Sequence, residues 1–106
     1  MQPIRRIVRP FLLTALLAVP LVTGCAGMPL QQLSDARQAI RAAERAGAEK
    51  HAPQLLDEAR GLVESARKSM HEGDYREARD DAEQARVKAM EARRIAEEAR
   101  GAASPP

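Results

Sequence analysis

Apolar residues between positions 30 and 100 recur at alternating three- and four-residue intervals, which is the spacing that gathers side chains on one face of a helix. Leu33, Ala36, Ile40, Ala43 and Gly47 follow this rhythm in the first stretch. Leu55, Leu56, Ala59, Leu62, Val63, Ala66 and Met70 make a broader face in the second, wide enough to touch two neighbours. The third is the most regular, with Tyr75, Ala78, Ala82, Ala85, Ala89, Ala92, Ala96 and Ala99 at the a and d positions of successive heptads. Helix signals divide the stretches. Pro29 can open the first helix, Gly47 can close it, and Pro53 suits the first turn of the next. Gly73 can end the second helix, while Asp74 and Glu77 have the spacing of a capping box. The pattern therefore predicts helices over about 30–47, 53–72 and 75–100, with 101–106 a disordered tail.

Two short connections make the three helices an antiparallel bundle, so the predicted fold class is all-α, a small three-helix bundle with alanine-rich heptads. The last helix repeats YREARDD, AEQARVK, AMEARRI and AEEARGA, placing Arg79, Arg86, Arg93 and Arg100 along one edge of the alanine seam. Alanine has the highest helix propensity and permits close helix approach, about 8 Å between axes. The seam therefore suits packing between helices and leaves little volume for a ligand. Arg93–Glu97 and Arg94–Glu98 have the i,i+4 spacing of ion pairs on that helix. A third helix longer than the second should overhang it. Ala92, Ile95, Ala96 and Ala99 are the expected interaction surface there, for an envelope protein or a second copy of the chain.

The pattern before residue 30 is different. Arg5, Arg6 and Arg9 precede a run from Phe11 to Val22 that is apolar except for Thr14 and Pro20. Twelve residues are too few to span about 30 Å of hydrocarbon, but they suit the apolar core of a signal peptide. Val22-Thr23-Gly24-Cys25 then resembles the bacterial lipobox, with small side chains before an acceptor cysteine whose thiolate takes the diacylglycerol. The expected organisation is a signal peptide at 1–24, a lipidated tether at 25–29 with Cys25 as the modified residue, and the helical domain at 30–100. Several acyl chains on Cys25 would hold the protein stably at a membrane. Ala26 stands where an aspartate would resemble a retention signal for the inner membrane. The outer membrane, facing the periplasm, is the expected location.

Composition narrows the chemistry. Of 106 residues, 30% are charged, and there is one Phe, one Tyr and no Trp. Base-stacking nucleic-acid modules need more aromatics than this. Removing the first 24 residues takes three of the 17 basic side chains and none of the 15 acids, which leaves the mature chain at −1. A basic nucleic-acid reader loses its electrostatic footing, and no nucleic-acid partner is expected. His51 and His71 flank the second helix, roughly 30 Å apart at 1.5 Å per residue, so they cannot share a metal. No nucleophile elbow, zinc helix, P-loop or dinucleotide fingerprint occurs, and no catalytic, cofactor or metal residue is expected. Arg37, Arg41 and Arg45 form an i,i+4 stripe suited to contact with a polyanion; the alternative is a solvated face.

Ala46-Gly47-Ala48, Ala52-Pro53 and above all Gly73-Asp74-Tyr75-Arg76-Glu77-Ala78-Arg79 resemble domain-of-unknown-function family 4398, over about residues 33–100. These are alanine-, glutamate- and arginine-rich bacterial envelope lipoproteins or modules. The resemblance implies no catalytic or cofactor residues. Some members carry an OmpA-like peptidoglycan-binding domain, which this chain, ending at Pro106, is expected to lack. Gly-Asp-Tyr-x-x-Ala also resembles a tetratricopeptide turn, but one copy cannot build that groove. The expected function is structural or adaptor-like, through helix-mediated protein interaction in the envelope. The rivals are a polyanion- or peptidoglycan-binding module and a lipid-anchored modulator of an envelope enzyme.

Overall fold

The structure is a computed structural model and describes residues 27–103. The signal-peptide segment, Cys25 and residues 104–106 lie outside the described residues. The chain is all-α: α1 spans Leu30–Ala46, α2 Ala48–His51, α3 Pro53–His71 and α4 Tyr75–Ala103. The three long helices run up, down and up. α4 packs along the length of both α1 and α3, which touch each other less.

Each long helix buries a narrow seam. In α1 it is Leu33, Ala36, Ile40, Ala43 and Ala46, and in α3 Leu56, Ala59, Val63, Ala66 and Ser69. Against them α4 sets Ala78, Ala82, Ala85, Ala89, Ala92 and Ala96, all 0% exposed. A single methyl at every a and d position lets both neighbours come close, so α4 becomes the hub of the bundle. The broader apolar face expected on α3 exists only in part, because Leu55, Leu62 and Met70 are half-buried at its edges.

Register is set by polar contacts and by the helix ends. Lys88 Nζ lies 3.0 Å from Glu58 Oε2, and Ser65 Oγ donates to Asp81 Oδ2 at 2.7 Å, aligning α3 antiparallel to α4. A methyl group at Gly27 would lie 3.9 Å from the Tyr75 ring, and Arg45 lies beside Arg93 in one groove, so α1 runs parallel to α4. The start of α1 and the turn at 73–75 are therefore at the same end of the bundle.

Glycine at positive φ makes both turns. Gly47 has φ 97° and closes α1, its N–H donating to Glu44 O at 3.0 Å. Gly73 has φ 81°. Its N–H donates to Met70 O at 3.1 Å while the Asp74 N–H donates to Ser69 O at 2.8 Å, the two bonds of a Schellman cap. Asp74 then caps α4, accepting from the Glu77 N–H at 3.3 Å. Only half of the expected capping box forms. The Asp74 N–H already serves Ser69 and has nothing left to donate to Glu77.

Three expectations are corrected. Among the described residues there are four helices, because the link between the first two long helices coils into the single turn of α2. Residues 101–103, expected as tail, continue α4. The overhang of the last helix is also mostly covered. α2 packs on α4, and Ala48 and Ala52 are buried in the same cluster as Ala92 and Ala96. Ala92 and Ala96, expected on an open interaction surface, are sealed in the chain's own core. Ile95 and Ala99 are half-buried beside them.

Candidate functional site

With the seam closed, what distinguishes one side of this bundle from another is its charge. On α3 and on the flank of α4 that faces it, most cations are paired, Lys68 being the exception. Arg60 meets Glu49 at 2.8 Å, Asp57 at 3.3 Å and Glu44 at 3.7 Å, clamping α3 to α1 and α2. Arg67 meets Glu64, Lys88 meets Glu58, and Arg94 sits between Glu91 and Glu98. The Arg94 guanidinium draws the Glu91 carboxyl below its ordinary range by a direct hydrogen bond. These are exposed pairs and add little stability individually, but they neutralise that side.

The opposite side is different. An open groove of about 410 Å³ runs between α1 and α4, lined by Arg41 and Arg45 from one helix and Arg86 and Arg93 from the other. Asp35, Gln38, Ala39, Ala42 and Met90 complete its walls. Arg86 reaches Glu83 at 3.5 Å and Arg93 reaches Glu97 at 2.7 Å. Arg41 and Arg45 have no ion-pair partner among the described residues. The only acid in the lining, Asp35, accepts from Gln31 at 2.8 Å. The groove continues past Arg45 and Arg93 to Glu97 and Arg100. Clustered guanidiniums offer planar, multidentate donors suited to phosphate or carboxylate.

Sequence spacing found half of this site. Arg41 and Arg45 of the expected stripe line the groove; Arg37, one turn earlier, is exposed and lies outside it. Arg86 and Arg93 were visible only as an edge of the heptad seam. The helix packing turns that edge toward α1.

A second, mostly apolar depression of about 590 Å³ adjoins the first on the outer side of α4. Leu55, Val87 and Met90 form its floor, with Lys88, Glu91 and Arg94 around them, and Met90 borders both depressions. Arg86 Nη1 lies 3.3 Å from Met90 Sδ on the ridge between them. His51 and His71 are both exposed, at the ends of α2 and α3. No helix among the described residues is long and apolar enough to cross a membrane.

No curated protein and no solved structure matches this sequence. A family profile described as "Domain of unknown function (DUF4398)" matches residues 31–104, which takes in all but the first residue of α1 and the whole of α2, α3 and α4. The chain belongs to this family.

Proposed function

We propose that this protein is a lipid-anchored lipoprotein of the bacterial outer membrane, and that its helical domain is a non-catalytic adaptor in the periplasm. Cys25 carries the anchor, after removal of residues 1–24. The domain works through the groove between α1 and α4, engaging an anionic component of the envelope. The observation that carries this reading is the convergence of Arg41 and Arg45 with Arg86 and Arg93 on one groove containing a single acid. Uncompensated like charges repel one another and weaken the fold slightly, so Arg41 and Arg45, which have no ion-pair partner among the described residues, suit a partner that supplies the countercharge.

Two tests address the two halves of the reading. Cys25→Ser should abolish acylation by mass spectrometry and release the protein from the membrane fraction; acyl chains on the variant would refute the anchor. For the groove, the mature lipoprotein should co-sediment at physiological salt with peptidoglycan sacculi or with vesicles containing anionic phospholipid. Arg41→Glu with Arg45→Glu should lose that retention, while Arg67→Glu on α3 should keep it. Retention by neither surface, or equal retention of both variants, would exclude the groove as the working face.

A further inference from the structure

Among the described residues, the exposed large apolar side chains fall in two places. Met28 and Leu30, 49% and 57% exposed, adjoin the tether. Val87 and Met90, 57% and 51% exposed, lie on the outer side of α4 next to the arginine groove. Guanidiniums flanking exposed apolar side chains are the signature of a surface that rests in the headgroup region of a bilayer, with the cations on phosphate and the apolar groups just beneath. A sugar–peptide polymer gives Met90 and Val87 no such apolar phase. We infer that the domain lies on its side on the membrane that anchors it, with the α1–α4 groove and the adjoining Met90–Val87 ridge against anionic phospholipid headgroups. This rests on the anchor reading and names the groove's partner.

Lengths permit the posture. Gly27 packs beside the Tyr75 ring and Pro29 is buried, so Cys25 joins the bundle through only about 7 Å of chain; that still exceeds the roughly 5–6 Å radius of a helix with its side chains, so the bundle can lie on its flank. An upright bundle would instead hold Arg41 roughly 17 Å and Arg45 roughly 23 Å beyond the start of α1. Both distances exceed the screening length of about 8 Å at physiological salt, so standing upright forfeits the attraction. It would also bring the turn end against the headgroups, where Glu72, Asp74, Glu77 and Asp81 stand close together. The part of α3 that carries Glu64 and Arg67, outside both depressions, is left facing the periplasm.

The chain's only cysteine is Cys25, so in the acylated protein Met90→Cys supplies a single reactive thiol, and Glu64→Cys on α3 supplies its comparison. Mass spectrometry first establishes the acyl chains on Cys25, which separates failure of the anchor from failure of the posture. Each variant, labelled with a fluorophore, is reconstituted into vesicles of phosphatidylethanolamine with and without phosphatidylglycerol, containing a headgroup-level quencher. The expected result is several-fold stronger quenching at position 90 than at 64 when phosphatidylglycerol is present. Arg41→Glu with Arg45→Glu should remove that difference while helical content by circular dichroism and acylation stay unchanged. Equal quenching at 90 and 64, or quenching at 90 that survives the charge reversal, would overturn the inference. A position-90 label that stays in water on vesicles and becomes protected when peptidoglycan sacculi are added would overturn it in favour of the cell-wall polymer.

Discussion

Two glycines differ in what a side chain would cost, and backbone angle decides it. Gly73 sits at φ 81°, and a methyl group there would meet nothing within 4 Å, so the obstacle to a side chain is backbone strain alone. Gly73→Val should destabilise by about 1–2 kcal/mol, seen as a fall of several degrees in the melting midpoint, whereas Gly73→Asn should cost much less because Asn tolerates the left-handed region. A Val variant that melts with the natural chain would mean the turn is not left-handed. Gly61 also has open space, but lies inside α3 at ordinary helical angles. Gly61→Ala should therefore raise the midpoint, by roughly 0.5–1 kcal/mol of stability; a lower midpoint would contradict a regular helix there. Carboxylates supply a residue-level test of the charge layout. Glu77 is held above the ordinary carboxyl range by Asp74 first, then by Asp81 and Glu72, while Glu91 is held below it by Arg94. Glu91 therefore adds stability above its unfolded pKa that is lost as pH falls through its folded value. Glu77 acts oppositely, adding stability at low pH that is lost as pH rises through its folded value. Site-resolved NMR titration should find Glu91 ionising before Glu77 as pH increases; the reverse order would contradict the pairing of Arg94 and the crowding around Asp74.

At the scale of elements, the alanine heptads decide how the helices meet. Ala89 is 0% exposed in the middle of α4, with α1 on one side and α3 on the other. Ala89→Leu should force the helices apart and cost about 1–3 kcal/mol, detectable as a lower urea midpoint; an unchanged or higher midpoint would mean that the seam has room to fill. This seam was legible because six of its alanines fall on a strict three–four spacing. The turn at 73–75 was legible because Gly, Asp and Glu occupy the positions that cap one helix and open the next. α2 was not. The five residues between Gly47 and Pro53 are too few to carry a period, so Ala48 and Ala52 look like loop alanines until the fold puts them in one cluster with Ala92 and Ala96. That one turn is why the expected overhang of α4 is short and why the surface sought there is interior.

At the scale of the molecule, the candidate site depends on which flank of the α3–α4 hairpin receives α1. Periodicity is the same for both hands of such a bundle, so the sequence alone cannot place Arg86 and Arg93 against Arg41 and Arg45. It displays two arginine rows, and only their meeting makes a groove. The result is a bundle with one side neutralised by its own ion pairs and one side left cationic, which is the basis for assigning the second side to an anionic partner. The most direct measurement is photo-crosslinking in intact cells from a reactive residue at Gln38, in the groove, compared with one at Gln54, on α3. A working face at the cationic groove gives crosslinks to an envelope component from position 38 that disappear with Arg41→Glu and Arg45→Glu, and none from position 54. Crosslinks from 54 but not from 38 would contradict it, and would assign the working surface to the charge-compensated side.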